Sequence, residues 1–187
     1  MRIRYKLMSI SVLNLSYNKL YKYNLDGELI IMYPGIIRRI NHIDLPKVIE
    51  LERKCFQHLL AYSPYQLKYL ITKANSNCLG EYISDNLRGF IIVLYKKGTR
   101  VAGIETLNVD PKYHGNGIGK KLLIAAEEDI KIKGINKINL EVSTKNIPAI
   151  RLYEKFGYKK ENILKNYYKY KHFGTYNAYK MIKKLAE

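Results

Sequence analysis

The pattern of hydrophobic and polar positions predicts seven β-strands and four helices between residue 36 and the C-terminus. The clearest strand covers 137–142, where Ile138, Leu140 and Val142 alternate with polar residues, so that one face is apolar and the other carries Glu141. Two pairs of strands are joined by turn signals typical of antiparallel hairpins. The predicted strands cover residues 36–40, 78–84, 87–95, 101–109, 137–142, 158–164 and 177–184.

Between these strands, apolar residues recur at the three- and four-residue spacing of amphipathic helices. Asp44 is predicted to cap the first helix, and Ser63-Pro64-Tyr65-Gln66 has the capping-box sequence of a second. The third helix is predicted over 120–133, with an apolar face at Leu122, Leu123, Ala126 and Ile130. Asn146 is predicted to cap the fourth helix, which ends at Gly157.

The order β-α-α-β-β-β-α-β-α-β-β predicts a mixed α/β fold. We expect a central, mostly antiparallel sheet with one βαβ unit and helices on both faces. A chain of 187 residues fits one domain with a substantial core. We assign this domain to residues 36–187. Residues 1–35 show only weak alternation and a turn signal at Asp26-Gly27 that permits a short hairpin, so they form an N-terminal extension without an assigned role.

Composition limits the partners and the compartment. The chain has 33 Lys and Arg against 16 Asp and Glu, a formal net charge of +17 that favours polyanionic partners such as nucleic acid, ribosomes or a phosphorylated cofactor. The abundance of Lys, Ile, Asn and Tyr can also reflect an AT-rich genome. Cys55 and Cys78 are too few for a disulfide scaffold, which indicates reduced packing residues in a cytoplasmic protein. No apolar run reaches the length of a membrane span, and no metal site is indicated.

The main candidate for chemistry is the glycine-rich segment His114–Gly119, between a predicted strand and a predicted helix. Such a turn presents backbone N–H groups at a helix N-terminus, where they can hold an anion such as a pyrophosphate. A dinucleotide fingerprint needs its third glycine two positions later, and a triphosphate-binding loop needs a hydroxyl after Gly119-Lys120. A tight turn without a ligand explains one or two glycines but explains three alternating ones poorly.

This segment and the motifs after it resemble the GNAT superfamily of N-acetyltransferases. Its signature, Arg/Gln-x-x-Gly-x-Gly/Ala, falls on 114–119, with His114 in place of the usual arginine or glutamine. Similarity extends from about Ile36 to the C-terminus and is strongest over 101–168. The motifs that resemble the RimI-like protein N-terminal acetyltransferases are Leu140-Glu141-Val142, Asn146, Leu152-Tyr153-Glu154, Phe156-Gly157-Tyr158 and Asn166-Tyr167-Tyr168.

The resemblance implies acetyl-CoA as co-substrate, no metal, and two catalytic residues. Glu141 would be the general base, acting through water, and Tyr153 would protonate the thiolate of coenzyme A. Taken alone, a strand glutamate often serves only charge balance and a helix tyrosine usually packs in the core. Because backbone N–H groups hold the family's pyrophosphate, His114 should alter affinity rather than competence. The implied coenzyme A contacts are Leu107, Asn108, Val109, His114, Gly115, Asn116, Gly117, Ile118, Gly119, Lys120 and Asn146.

The resemblance also implies an acceptor: the α-amino group of a protein or peptide N-terminus. Tyr62, Tyr167 and Tyr168 would bind the peptide, although these tyrosines can equally cover the sheet. Association with the ribosome would be compatible with this activity, and no membrane partner is expected. The alternatives are a GNAT enzyme acting on lysine side chains, polyamines or a small amine, and a basic module that binds RNA or the ribosome without catalysis.

Overall fold

The computed structural model describes residues 20–23, 29–32, 35–56 and 59–185, and the chain divides after residue 34 into two units. In the first unit, strands β1 (Leu20–Tyr23) and β2 (Leu29–Met32) pair antiparallel, with Leu20 opposite Met32. The hairpin permitted by the sequence is therefore present, and its turn at Asp26-Gly27 lies outside the described residues.

The second unit is built on one seven-stranded sheet. Its strands are β3 (Ile36–Arg39), β4 (Ser76–Ile83), β5 (Asn86–Tyr95), β6 (Val101–Val109), β7 (Lys137–Ser143), β8 (Lys159–Leu164) and β9 (Ala178–Lys184). They lie in the order β3-β4-β5-β6-β7-β9-β8. Every neighbouring pair is antiparallel except β6 and β7, which are parallel because a helix connects them. The mostly antiparallel sheet with one βαβ unit is confirmed.

Four helices cover the sheet: α1 (Leu45–Cys55), α2 (Pro64–Thr72), α3 (Ile118–Ile132) and α4 (Ile147–Lys155). The two faces carry separate hydrophobic clusters, as the alternation along β5 shows. Phe90 and Ile92 pack with α1 and α2, whereas Ile91 and Val93 pack with α3 and α4. Helices on both faces are therefore confirmed. The apolar residues of β7 point towards α3 and α4, which places Glu141 on the opposite face.

The sequence predicted the N-terminal cap of α2 correctly but not that of α1. Ser63 Oγ accepts a hydrogen bond from the N–H of Gln66, and Gln66 Oε1 accepts one from the N–H of Ser63, as the capping box predicts. The prediction for Asp44 is wrong, because its side chain makes no cap bond to α1. Its carboxylate instead accepts two bonds from Arg38, both 2.8 Å long, and this pairing lowers the pKa of Asp44 to about 2. A bidentate, charge-assisted pair is stronger than a single cap bond.

The predicted start of α3 is two residues too late. Gly117 adopts a φ of +74° and turns the chain directly into the helix, so α3 begins at Ile118 rather than Lys120. A positive φ costs glycine little, whereas side chains rarely adopt it. Asn146 caps α4 as predicted, since its Oδ1 accepts from the N–H of Ala149 at 3.3 Å, and Gly157 follows the helix with a φ of +85°.

The two cysteines are free thiols within the packing of the domain. Cys78 is buried, and Cys55 donates a hydrogen bond from Sγ to the carbonyl of Val109 at 3.4 Å. Burial, reinforced by the charges of Glu52 and Asp110, raises the pKa of Cys55 to about 12, so the thiol stays protonated and unreactive at neutral pH.

Candidate active site

The sheet opens between its two parallel strands. β6 and β7 pair only from Val101 opposite Lys137 to Ile104 opposite Leu140, although both strands continue beyond this point. No other strand in the described part of the chain pairs with this edge of residues 105–109. Its backbone N–H and C=O groups are therefore free of strand partners on that side. An extended ligand can bind there as an added strand, which is where the sequence predicted pantetheine contacts at Leu107, Asn108 and Val109.

A β-bulge lies at the start of this opening. On β5, Ile92 is opposite Thr106 and the next residue, Val93, is opposite Ile104, so Glu105 is the extra residue of β6. Glu105 therefore has no register partner in either neighbouring strand. Bulges often redirect a side chain beside a functional site. Here the bulge places a carboxylate at the mouth of the opening.

A cavity of about 490 Å³ occupies the opening and brings together residues from distant parts of the chain. It is lined by predicted residues from the α1–α2 loop, both separated strands, α4 and the loop after β8. Val109 and the segment His114–Lys120 lie outside this lining, at the end of β6 and the start of α3. The predicted site residues that line the cavity are Tyr62, Leu107, Asn108, Glu141, Asn146, Tyr153, Tyr167 and Tyr168.

Glu141 is the predicted base, and its carboxylate faces the cavity half-buried. Burial raises its pKa, and the neighbouring charge of Glu105 raises it further, while Lys180 opposes both. Lys180 itself pairs with Glu161 at 2.8 Å, and no ion-pair partner of Glu141 is found among the described residues. Glu141 thus forms no ion pair among the described residues, although Lys180 is its register partner on β9, and burial keeps its pKa raised.

Tyr153, the predicted acid, reaches the cavity from α4 and is only 6% exposed. Its ring packs edge-on against Tyr158, with 5.5 Å between the ring centroids. Burial raises the pKa of its hydroxyl, so the side chain is protonated at neutral pH and able to donate a proton. Packing also holds the ring in one position.

A hydrogen-bond network that the sequence did not predict connects three walls of the cavity. Glu52, buried on α1, accepts bonds from the N–H of Tyr62 at 2.9 Å and from Nδ2 of Asn108 at 2.5 Å. The hydroxyl of Tyr62 donates to Glu105 at 2.5 Å. Burial raises the pKa of Glu52, although these donors oppose the shift. Two features of the sequence could have identified them. Glu52 is a carboxylate on the apolar face of α1, and Glu105 is the one charged residue of β6.

The paired tyrosines belong to the loop between β8 and β9. The rings of Tyr167 and Tyr168 meet edge-on at 4.9 Å, and Tyr168 stacks on His172 at 4.0 Å. Ser143 Oγ donates to the carbonyl of His172 at 2.8 Å, which ties this loop to the end of β7. Burial raises the pKa of both tyrosines, so their hydroxyls remain available as donors.

The glycine segment presents unused donors. Gly115 and Gly117 have φ values of +81° and +74°, and nothing lies within 4 Å of the position that a side-chain methyl would take at either residue. None of the hydrogen bonds found in the described ranges uses the N–H groups of Ile118, Gly119 or Lys120, the first turn of α3. His114 Nε2 donates to the carbonyl of Val109 at 2.9 Å. A neutral His114 ring then has only an acceptor left, so it can donate to a phosphate only when it is protonated.

Two further properties of the described residues bear on partners. They contain no group of three or more His, Cys, Asp or Glu side chains arranged to hold a metal ion. None of the helices in the described ranges combines the length and hydropathy that a membrane span requires. The ionisable side chains that line the cavity are three glutamates, several tyrosines, Lys169 and His172.

Comparisons with known proteins agree with this geometry. Residues 45–158 match the model of the Acetyltransferase (GNAT) family. The ribosomal protein bS18-alanine N-acetyltransferase of Haemophilus ducreyi is 31% identical over 141 residues, which cover 71% of this chain and 88% of that protein. Human N-alpha-acetyltransferase 30 is 28% identical over 135 residues, covering 71% of this chain and 37% of that protein.

A solved structure shows the same fold. The crystal structure of the ribosomal-protein-S18-alanine N-acetyltransferase from Escherichia coli superposes with a TM-score of 0.73 at 24% identity, covering 82% of this chain and 95% of that one. The chain belongs to the GNAT family and is an acetyl-CoA-dependent N-acetyltransferase.

Proposed function

We propose that this enzyme acetylates the α-amino group at the N-terminus of proteins or peptides, with Glu141 as general base and Tyr153 as general acid. The observation that carries the proposal is the position of these two side chains. They line one cavity at the point where β6 and β7 separate, Glu141 from β7 and Tyr153 from α4, and pantetheine paired with the free edge of β6 would run through this cavity as through a channel. A thioester lying in that channel would meet both groups.

The protein offers three kinds of contact to coenzyme A. The free edge of Leu107–Val109 can pair with the amides of pantetheine, and the first turn of α3 can hold the pyrophosphate through its N–H groups. Asn146 uses Oδ1 to cap α4, which leaves its amide Nδ2 to donate into the cavity. When bound, acetyl-CoA supplies an activated thioester carbonyl. Lys120 adds a positive charge beside the pyrophosphate.

Glu141 would remove the proton that leaves the amine during attack. An α-amino group has a pKa of about 7.7–8.0, so it is deprotonated more easily than a lysine side chain at about 10.4. Because the pKa of Glu141 is raised, it lies closer to the pKa of the α-amino group that donates the proton. This smaller difference makes proton transfer through one bridging water more effective. Lacking a basic partner, the carboxylate is free to accept the proton.

Tyr153 would supply the proton that the leaving thiolate requires. Its buried hydroxyl stays protonated at neutral pH, and the packing against Tyr158 keeps it aimed into the cavity. Transfer of a proton from a phenol to a thiolate as the C–S bond breaks avoids release of a charged leaving group.

The residues that would bind the acetyl acceptor suit a peptide. Tyr62 and the pair Tyr167 and Tyr168 line the cavity from two different loops, and their hydroxyls can bind peptide carbonyls. The names of the relatives support the same class, since one acts on the alanine N-terminus of a ribosomal protein and another is an N-alpha-acetyltransferase. Lysine side chains and free polyamines are the rival acceptors.

Replacing the base tests the proposal. Glu141→Gln keeps the size of the side chain and should lower kcat on a peptide with a free N-terminus by about 100-fold or more, because general-base catalysis is lost. Binding of acetyl-CoA, measured by calorimetry, should change little. Mass spectrometry should locate the acetyl group on the α-amine and leave an internal lysine unmodified.

Glu128→Gln is the matched control, because Glu128 is an exposed glutamate of α3 outside the cavity. It should retain full turnover. If Glu141→Gln were as active as this control, Glu141 would not be the base. Acetylation of the internal lysine in a peptide with a blocked N-terminus would refute the α-amino acceptor.

Association with the ribosome is a further part of the proposal. It is supported by the net charge of +17 and by the exposed loop after β8, where Lys165, Lys169 and Lys171 alternate with aromatic rings. Basic groups interleaved with aromatic rings suit the backbone and bases of RNA. Salt-dependent co-sedimentation with ribosomes is the test.

A further inference from the structure

The cavity collects carboxylates that lack basic partners. Among the described residues, nine of the thirteen Asp and Glu side chains form an ion pair with a lysine or arginine, as expected where basic residues outnumber acidic ones two to one. Glu52, Glu105, Glu128 and Glu141 do not. Three of these four line the cavity, and only Glu128 lies elsewhere. In a protein this basic, such a concentration of negative charge points to a cationic ligand.

The three glutamates of the cavity differ in whether they are free to bind a ligand. Glu52 is buried and already accepts hydrogen bonds from Tyr62 and Asn108, so its role is to hold these two residues in place in the cavity wall. Glu141 is used by the reacting amine. Glu105 is solvent-accessible and accepts one bond, from the hydroxyl of Tyr62. A carboxylate has about four acceptor sites, so Glu105 can accept further bonds from a ligand.

The bulge and the strand separation hold Glu105 next to the reacting centre. Glu105 and Glu141 are the first residues beyond the last paired positions of β6 and β7, and both line the cavity. Glu105, Glu141 and Tyr167 all line the same cavity. A group bound to Glu105 would therefore lie beside the acceptor amine.

Charge balance then identifies the acceptor. The acceptor brings one ammonium group, whose proton passes to Glu141 during transfer. Glu105 would remain negative throughout, because no lysine or arginine among the described residues forms an ion pair with it. Lys169, the one lysine in the cavity lining, lies instead over the ring of Tyr170, with 5.4 Å between its Nζ and the ring centroid. A second positive charge on the acceptor would offset the charge of Glu105. Because the tyrosines of both loops suit a peptide backbone, that charge belongs on a peptide side chain rather than on a free diamine.

We propose that Glu105 is a specificity-determining residue that selects protein N-termini with a lysine or arginine among their first two residues. The inference rests on the proposed function, since it names the acceptors of the same site. Glu105 would bind the basic side chain while the α-amine approaches Glu141, and Tyr62 would hold the carboxylate in place.

Peptides that differ only in charge test this inference. Two pairs would carry arginine or its uncharged isostere citrulline, at position 1 in one pair and at position 2 in the other. For the wild-type enzyme, kcat/KM should be about tenfold higher for arginine in at least one pair, and the ratio should fall as salt screens the charge. In Glu105→Gln, which can still accept from Tyr62, the ratio should fall to about one. Glu128→Gln removes the same charge outside the cavity and should keep the wild-type ratio.

The outcomes separate this inference from the function on which it rests. Acetylation of arginine and citrulline peptides at equal rates by the wild-type enzyme would overturn the role of Glu105 while leaving the α-amino activity intact. An unchanged ratio in Glu105→Gln would overturn it as well. Failure to acetylate any free peptide N-terminus, together with acetylation of spermidine, would overturn the proposed function itself. In Glu105→Lys, a preference for glutamate over glutamine at the same position would support the inference independently.

Discussion

At the scale of single residues, the protonation state of Glu141 depends on its surroundings as much as on its own chemistry. Burial raises the pKa of the Glu141 carboxyl, and the charge of Glu105 adds to the rise. A like charge nearby always disfavours ionisation of a second carboxyl. Glu105 therefore has two effects, because it attracts a cation and makes its neighbour a stronger base.

We expect this coupling to be measurable without turnover. In wild-type protein, the carboxyl carbon of Glu141 should titrate above the ordinary glutamate pKa of about 4.3. In Glu105→Gln the pKa of Glu141 should fall towards that value, because the like charge is gone. Carbon-detected NMR of protein labelled at glutamate carboxyls measures both. Glu128→Gln, which lies outside the cavity, should leave the titration unchanged.

Because Glu105 raises the pKa of Glu141, its removal should change how activity depends on pH. A base works only when ionised, so activity that depends on Glu141 should be lost as pH falls through its raised pKa, and Glu105→Gln should extend the active range to lower pH. An identical Glu141 titration in the wild type and in Glu105→Gln would show that the two carboxylates do not interact.

At the scale of elements, the segment between β6 and α3 illustrates how local conformation builds a binding site. Gly115 and Gly117 have positive φ values, and the chain enters α3 with three N–H groups unused. The positive end of the helix dipole adds to their potential. A left-handed residue at the cap is what aims these donors away from the sheet.

Replacing Gly117 by alanine should therefore separate stability from ligand binding. A side chain at its φ of +74° costs roughly 1–2 kcal/mol of unfolding free energy. Relief of this strain should also shift the first turn of α3 and weaken coenzyme A binding, which we expect to raise the Kd at least fivefold. Denaturant unfolding and calorimetry measure the two effects.

Gly98→Ala is the matched control. Gly98 lies in the exposed turn between β5 and β6 with a φ of +72°, and like Gly117 it has nothing within 4 Å of its missing side chain. It should lose similar stability and bind coenzyme A normally. Equal coenzyme A affinity in both variants would remove the glycine segment from the proposed pyrophosphate site.

At the scale of the whole molecule, a strongly basic chain holds three glutamates without ion-pair partners in one cavity. The chain carries a net charge of +17, yet the cavity concentrates glutamates without basic partners. The loop after β8 takes part in both the cavity and the basic surface. Tyr167, Tyr168 and Lys169 line the cavity, and Lys165, Lys169 and Lys171 are exposed to solvent. RNA attraction and acceptor selection can therefore coexist in one domain.

The ribosome proposal makes a prediction at this scale. Changing Lys165, Lys169 and Lys171 together to glutamine should weaken co-sedimentation with ribosomes and reduce the slope of log affinity against log salt by about 2, because about three phosphate contacts are lost. The control changes the exposed residues Lys73, Lys96 and Lys97, which lie outside the cavity and carry the same total charge. Equal losses in both variants would indicate only general attraction, and no loss in either would remove the ribosome from the proposal.

Prediction from the sequence succeeded where the controlling interactions are local. Alternation along β7 places Glu141 on the polar face, helical spacing defines the buried face of α3, and Ser63 caps α2 through a residue three positions away. The motifs around Glu141 and Tyr153 identified the family because their spacing can be seen along the chain. Asp44 was assigned wrongly because Arg38, six residues earlier, competes for its carboxylate.

The sequence by itself determined the order of the elements, the mixed sheet, the family and eight of the 24 residues that line the cavity. Only the tertiary structure decided that β6 and β7 separate after Ile104 and Leu140, that a bulge turns out Glu105, and that Glu52 joins Tyr62 to Asn108. The physical reason is the distance along the chain over which the deciding interactions act. Periodicity and caps act over a few residues, whereas strand register and a network across 56 residues of chain are set by packing between elements.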